Sequence, residues 1–237
     1  MRNILILVFV AGNTYAQIVG GYVAGTATSR SFREYADMIN SNPQVTDKLS
    51  NFWFAQGFQI GFEFPNMATV APFAFHYRRL TASAQYTSAA TGVVSYRLRL
   101  NQYIVPVVFG GEVSGSKNFI FINIPVGYNS AKISHTMEKF PNFRRDYTGG
   151  TGIMGLGLSS YLPFNKRTAL YIKMNWMGVI LPIKELKPEM LDRAFYDNSG
   201  ANYDDYIMSY VKDGNNEAVR VDFRGFDATL GIVYILY

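Results

Sequence analysis

Apolar residues recur at every second position over long stretches of this chain. Phe58 to Phe64 and Ile120 to Tyr128 are two such stretches, each with apolar side chains at even positions. Successive side chains of a β-strand point to opposite faces, so a period of two predicts strands with one apolar face. The pattern therefore predicts an all-β fold.

The alternation predicts eight antiparallel strands. We place them at 17–26, 54–65, 69–87, 92–113, 118–134, 150–163, 167–182 and 219–237. The fourth strand changes phase near Asn101 and Gln102, which predicts a β-bulge at that point.

The connections between these strands differ in length in a regular way. Four connections follow odd-numbered strands, and three of these are long, at 27–53, 135–149 and 183–218, whereas the fourth, at 88–91, is short. The three connections that follow even-numbered strands are all tight, at 66–68, 114–117 and 164–166. Long loops on one rim and short turns on the other are typical of up-and-down transmembrane barrels of the outer membrane. In such barrels the long loops are extracellular and the short turns are periplasmic.

A soluble barrel of the lipocalin type is the alternative, because its strands alternate as well. Its apolar face would fill the interior and its polar face would meet water. In this chain charged residues make up only 16% and aromatic residues another 16%, whereas soluble domains carry about 25% charged residues. The composition favours a transmembrane barrel whose apolar face contacts lipid.

Short helices are expected in the long loops. Ser31 and Glu34 have the spacing of a capping box, in which Ser31 caps the helix and Glu34 reaches back. Pro188 suits the first position of a second helix, which we expect to end near Tyr196.

The N-terminus has the parts of a secretory signal peptide. Arg2 supplies a positive charge, residues 4–11 form an apolar run, and Ala16 precedes the expected cleavage site. We therefore expect a signal peptide at 1–16 and one barrel domain at 17–237.

The net charge and the cysteine content exclude some function classes. The net charge of +5 is spread along the chain, which gives no patch for nucleic acid. The absence of cysteine excludes disulfides and thiolate chemistry.

Charged residues on the polar faces predict a hydrogen-bonded network inside the barrel. A cation that faces lipid costs about 2–4 kcal/mol at the membrane midplane, so these side chains are expected in the lumen. The predicted members are Glu63, Arg78, Arg97, Arg99 and Lys173. This set is net basic. We expect a structural plug centred on Glu63 and Arg97, with no catalytic role.

Two other sets of residues could in principle take part in catalysis or bind a metal. Ser134 and His135 are adjacent, but a serine activated by histidine also needs an orienting group and an oxyanion site. Four acids cluster in the last loop without the spacing of an EF-hand: Asp204, Asp205, Asp213 and Glu217. We interpret both groups as loop residues, and we expect no metal, no cofactor and no enzymatic activity.

Several features together resemble a known group of proteins. They are the Ala16–Gln17 junction, the stretch 96–101 (YRLRLN) that runs into Val105–Pro106–Val107, and the aromatic final strand ending at Tyr237. The chain resembles the small outer-membrane β-barrel proteins of Bacteroidota, the PorT-like group, which are similar in architecture to the OmpX and OmpA barrels. The resemblance implies an outer-membrane location, contact with outer-membrane lipid and with the barrel-assembly machinery, and no catalytic residues.

The expected function is a structural or partner-binding role, with a protein partner at the extracellular loops, as an accessory to a secretion or surface assembly. A lipid-modifying enzyme of the deacylase kind and a narrow pore are the alternatives. Eight strands enclose a space just wide enough for side chains, which argues against the pore.

Overall fold

The computed structural model describes residues 16–64, 73–89, 91–112, 119–181, 187–188 and 220–236. Eight long strands dominate these residues. They are β1 (Ala16–Gly25), β2 (Ala55–Phe64), β3 (Phe73–Ser88), β4 (Gly92–Glu112), β5 (Phe119–Met137), β6 (Phe140–Pro163), β7 (Thr168–Leu181) and β8 (Gly225–Leu236). One helix, α1 (Arg30–Asn40), and two short strand segments, Val45–Asp47 and Lys187–Pro188, complete the described elements.

The eight long strands form a closed antiparallel barrel. Each strand pairs with its neighbours in the chain, and β1 pairs with β8 to close the wall, from Ala16 opposite Leu236 to Gly25 opposite Asp227. The predicted fold class, an all-β eight-stranded antiparallel barrel, is confirmed. In the described parts of the chain, no helix is both long enough and apolar enough to cross a bilayer.

The two ends of the barrel differ. At one end, which we call the turn end, β6 and β7 are joined by residues 164–167. At the other end, which we call the plugged end, β1 leads into α1, and α1 packs against the inner face of the wall.

Strands β3 to β6 extend past the other strands at the plugged end. The pairing of β2 with β3 ends at Gln56 and Thr81, and that of β7 with β6 ends at Leu181 and Gly152. The parts of β3 to β6 beyond this level, from Thr81, Arg99 and Lys132 onwards, are here called the projecting sheet. Only short segments are added to its sides among the described residues, by Val45–Asp47 on β3 and Lys187–Pro188 on β6.

The prediction of a long loop at 135–149 is wrong. Strand β5 continues to Met137 and β6 begins at Phe140, so a two-residue turn at Glu138 and Lys139 joins them. The extended hairpin is stabilised by cross-strand pairs such as Ser134 with Asp146. Many residues between 135 and 149 are polar and exposed, so the strands there lack the apolar alternation that marks the rest of the wall.

Helix α1 begins earlier than its capping-box pattern predicted. Ser29, not Ser31, is the N-cap, and its hydroxyl oxygen accepts a hydrogen bond from the Phe32 amide at 2.9 Å. Glu34 does not reach back to the cap but accepts from Arg30 one turn away. The second helix predicted to begin at Pro188 is wrong at its start, because Pro188 pairs with Tyr147 as part of a short strand. Residues 189–196 lie outside the described residues.

An apolar band surrounds the outer wall between the turn end and the projecting sheet. Leu156 is 58% exposed and Leu230 is 57% exposed, although both lie in the middle of strands. Other exposed members of this band are Phe58, Ile60, Phe62, Ile120, Ile122, Leu158, Trp176 and Ile232. Exposed apolar surface of this extent marks a surface that contacts something other than water. The soluble lipocalin-type alternative predicts a polar outer face and an apolar interior at this level. The wall has the opposite arrangement.

The interior changes character along β4 without a change of register. Leu98, Leu100, Gln102 and Ile104 all point inward, and the pairing of β4 with both neighbours is continuous through this region. The bulge predicted near Asn101 and Gln102 is therefore wrong. In the projecting sheet the apolar side chains of β4 are on the inward face, and in the apolar band they are on the outward face. This change reflects different surroundings of the wall and not a shift in the pairing of the strand.

Helix α1 fills the interior of the plugged end with apolar side chains. Phe32 packs on Phe52 with ring centroids 4.4 Å apart and on Tyr96 at 5.9 Å. Leu98 and Val94 on β4 are completely buried in the same cluster. Fully burying one such side chain contributes about 1.5–3 kcal/mol, so this cluster stabilises the docking of α1.

Candidate functional site

The interior within the apolar band is a polar site, and its first centre is an ion pair between β3 and β8. Both terminal guanidinium nitrogens of Arg78 donate to Asp227, Nη1 at 3.0 Å and Nη2 at 2.5 Å. Nη2 also donates to the hydroxyl of Thr229 at 3.0 Å, and the Asn175 amide donates to Asp227 at 2.8 Å. Arg78 is 1% exposed. A bidentate arrangement of this kind fixes both side chains in orientation as well as in position.

The second centre is the carboxylate of Glu63 near the turn end. Its Oε1 lies 2.8 Å from Nε2 of His76, and its Oε2 accepts from the Tyr161 hydroxyl at 2.5 Å. Both carboxylate oxygens therefore have partners. Glu63 and His76 are buried, which makes these hydrogen bonds necessary for keeping the carboxylate in the interior.

The formal charges of the described interior balance. Arg78 and Lys173 are the buried cations within the apolar band, and Glu63 and Asp227 are the buried anions. The predicted excess of positive charge in the lumen is wrong. A balanced set of this kind satisfies the requirement that a buried charge be compensated.

The structure brings three of the five predicted network residues together and places the other two elsewhere. Glu63, Arg78 and Lys173 point into the lumen. Arg97 and Arg99 point outward from the projecting sheet, since Tyr96, Leu98 and Leu100 occupy the inward positions of β4. The predicted plug centred on Glu63 and Arg97 is therefore wrong, and the partners of Glu63 are His76 and Tyr161.

Two residues of the site were absent from the predicted network. Asp227 lies on β8, whose final half is apolar on both faces, so the sequence left its orientation ambiguous. His76 shares the inward face of β3 with Arg78, and the alternation Phe75, His76, Tyr77 carried that signal.

Gly61 provides the space in which His76 is held. A Cβ atom at Gly61 would lie 2.3 Å from Cδ2 of the buried His76 ring and 2.6 Å from the carbonyl oxygen of Phe75. Neither atom belongs to the free end of a flexible chain, so a side chain here would displace the imidazole from Glu63. Glycine at this position is a requirement of the network and not only of the strand.

Ser134 and His135 do not form a nucleophile–base pair. His135 points inward and stacks on Tyr96 with ring centroids 4.6 Å apart, whereas Ser134 faces outward and hydrogen-bonds Asp146. Adjacent residues of a strand point to opposite faces, so the two side chains cannot act together on one substrate. This geometry gives no support to deacylase-like chemistry at this pair.

A buried carboxylate attaches α1 to the segment before β8. Asp222 accepts from the hydroxyl of Ser29 and from the backbone amides of Arg30 at 3.1 Å and Ser31 at 3.4 Å. The Ser31 hydroxyl in turn accepts from the amide of Arg220 at 2.9 Å. A carboxylate at a helix N-terminus is favourable because it meets unpaired amides and the positive end of the helix dipole.

The acidic group expected in the last loop, Asp204, Asp205, Asp213 and Glu217, lies outside the described residues. Within the residues that are described, no three His, Asp or Glu side chains are grouped as metal ligands.

Comparisons with known proteins find likeness only among solved structures. No protein-family model matches the chain, and neither does any curated protein. The chain is similar to Ail, the attachment invasion locus protein of Yersinia pestis, with 9% identity and a TM-score of 0.43, covering 95% of this chain and 100% of that one. The same protein in complex with the heparin analogue sucrose octasulfate gives a TM-score of 0.45 at the same identity and coverage.

The outer membrane protease OmpT from Escherichia coli is similar at 10% identity and a TM-score of 0.41, covering 98% of this chain and 99% of that one. These likenesses concern the fold and assign no function to this chain.

Proposed function

We propose that this chain is a closed outer-membrane barrel with a structural or partner-binding role. Residues 1–16 serve as its signal peptide and 17–237 as the barrel domain. The turn end faces the periplasm, and the plugged end faces outward and binds a partner as an accessory to a secretion or surface assembly, in the manner of the PorT-like barrels of Bacteroidota. Outer-membrane lipid covers the apolar band, and the barrel-assembly machinery inserts the chain.

The observation that carries this proposal is the filling of the interior at two successive levels. Within the apolar band, charged side chains are paired across the lumen, as in Arg78 with Asp227. Above it, α1 and the inner face of the projecting sheet form an apolar core around Phe32 and Tyr96. Permeation would need both levels to open. A barrel sealed in this way suits support or display better than transport.

The plugged end also presents apolar side chains suited to a protein partner. Trp53 and Phe54, which precede β2, are 61% and 59% exposed. Aromatic residues are enriched at the centres of protein interfaces, where they contribute a large part of the binding energy. We therefore assign these two side chains to the partner-binding surface.

Membrane placement is tested by fractionation. The protein should sediment with outer membranes, resist carbonate extraction and migrate faster on SDS gels before boiling than after it. Recovery in the soluble periplasmic fraction would contradict the membrane placement. In planar bilayers the wild-type protein should show no steady conductance, and a stable open channel would support the pore instead.

Partner binding is tested by a photo-crosslinking amino acid placed at Trp53 or at Phe54 in the native cell. Phe164 in the turn-end loop is 65% exposed and is the matched control position. We expect one protein to be crosslinked from the two plugged-end positions and not from Phe164. Equal crosslinking from all three positions would show that exposure alone, and not a binding surface, determines capture.

A further inference from the structure

A group of cations lies on the outer wall directly above the apolar band. Arg79, Arg97, Arg99 and Lys132, here called the basic wall, occupy outward positions on β3, β4 and β5. Arg97 is exposed, and the other three are partly exposed. The outward positions of the described residues in β1, β2, β7 and β8 hold no lysine or arginine. The positive charge is therefore confined to one half of the circumference.

The basic wall begins one outward position above a row of tyrosines. Tyr77, Tyr103 and Tyr128 lie opposite one another on β3, β4 and β5, and the rings of Tyr77 and Tyr103 are 5.4 Å apart. Aromatic rows of this kind mark the boundary between the hydrocarbon and the headgroups in transmembrane barrels. Two residues of strand rise by about 7 Å, so the first cation, Arg79, lies at the level of the headgroups.

The cations lack acidic partners to match their number. No ion pair involves Arg79, Arg97 or Arg99 within the described residues, and the one acid on this part of the wall, Asp146, is bound by Lys132 at 2.9 Å and by Arg144 at 3.2 Å. Arg99 is directly opposite Lys132 in the register of β4 and β5. Like charges in directly opposed positions are unfavourable unless an anion lies between them.

From this arrangement we infer that the basic wall binds the phosphate of lipid headgroups in the adjacent leaflet. The site lies where headgroups are, its open face is toward lipid, and guanidinium groups match phosphate in charge and in hydrogen-bonding geometry. The lipid tails would lie along the tyrosine row and the apolar band below it. This inference depends on the membrane placement proposed above, but it concerns a different surface from the partner-binding one.

The test uses the whole folded protein in octyl glucoside micelles, where membrane placement is not at issue. Binding of dioleoyl phosphatidic acid is counted by native mass spectrometry, with dioleoylglycerol as a probe that has the same chains and no phosphate. The test variant is Arg79→Gln, Arg97→Gln and Arg99→Gln together, which leaves the Lys132–Asp146 pair intact. The control variant removes three exposed cations elsewhere at the plugged end, by Arg33→Gln, Lys48→Gln and Arg224→Gln.

We expect the test variant to bind phosphatidic acid at least about tenfold more weakly than wild type, because each cation near a headgroup contributes to binding. The control variant should stay within about twofold of wild type, and dioleoylglycerol should bind equally to all three proteins. A faster gel migration before boiling establishes that each variant is folded. Equal phosphatidic acid binding by the folded test variant and wild type would overturn the inference, whatever the outcome of the fractionation and conductance tests.

Inorganic phosphate distinguishes the lipid from a free anion. It should displace phosphatidic acid from the wild-type protein only at concentrations far above those of the lipid, because the acyl chains add their own contacts. Displacement at equal concentrations would show that the wall takes free phosphate and would overturn the assignment to lipid.

Discussion

Arg78 on β3 and Asp227 on β8 are joined inside the barrel by two parallel hydrogen bonds, although β2 and β1 lie between their strands in the wall. The pair thus connects two parts of the wall that share no backbone hydrogen bonds. Both side chains are nearly inaccessible to solvent. Removal of either one would leave the other as an uncompensated buried charge.

Replacing Asp227 with alanine should therefore destabilise the folded barrel by about 3–5 kcal/mol, the usual cost of breaking a buried ion pair from one side. The measurement is denaturant unfolding of the protein reconstituted in lipid vesicles. Glu34→Ala is the control, since it breaks the exposed Arg30–Glu34 pair and should leave the unfolding midpoint almost unchanged. If both variants unfolded at the wild-type midpoint, the Arg78–Asp227 pair would not be a stabilising contact.

The assignment of partners to Glu63 can be tested by two double-mutant cycles. Glu63→Gln combined with Tyr161→Phe should show a coupling energy of about 0.5–3 kcal/mol, since the two side chains share a hydrogen bond. Glu63→Gln combined with Arg97→Gln should be additive within about 0.5 kcal/mol, because Arg97 lies on the other face of the wall. Strong coupling in the second cycle would restore the polar plug that the sequence predicted.

His76 occupies the space next to Gly61, so even a methyl side chain at position 61 should lower the free energy of unfolding. Gly61→Ala should destabilise the barrel by about 1–3 kcal/mol, as overpacking of a filled interior does. Gly20→Ala on β1 is the matched control, because a Cβ there meets nothing within 4 Å. Both variants change one strand glycine to alanine, so a difference in their unfolding midpoints isolates the contact with His76. Equal midpoints would mean that the ring moves aside without loss.

The period of two was enough to locate the barrel strands, because strand pairing needs only alternation and turn residues. All eight predicted strands correspond to strands of the barrel, with ends that differ by a few residues in most cases. The orientation of the interior charges on β2, β3 and β7 also followed from alternation, since Glu63, Arg78 and Lys173 lie on the strand face opposite to the apolar residues that belong outside.

The prediction failed where one rule was applied over the whole length of a strand. A tilted strand crosses the hydrocarbon with about 9–11 residues, but β4 has 21 and β6 has 24. In the proposed membrane placement the surplus residues lie outside the hydrocarbon, level with the headgroups and beyond them, where the apolar face belongs inside. Leu98 and Leu100 thus face α1, and Arg97 and Arg99 face outward. The alternation pattern could not show that α1 docks into the barrel, because this docking is a tertiary contact. The docking determines which face of the projecting sheet is covered.

This inversion makes opposite predictions for neighbouring residues. Leu98→Lys should strongly destabilise the plugged end, because it places a charge in the apolar core around α1. Arg97→Leu, one residue away, should change the unfolding free energy by less than about 0.5 kcal/mol, as surface substitutions do. Ile122→Lys in the apolar band should cost about 2–4 kcal/mol when the barrel is in lipid vesicles.

Denaturant unfolding in vesicles measures all three variants, and amide hydrogen exchange along β4 separates loosening of the plugged end from loss of the barrel. Leu98→Lys should accelerate exchange in the projecting sheet while the strands within the apolar band stay protected. Ile122→Lys should affect the band first. If Arg97→Leu proved costly and Leu98→Lys did not, then Arg97 would face the interior, and the change of interior from polar to apolar between Gln102 and Leu100 would not exist.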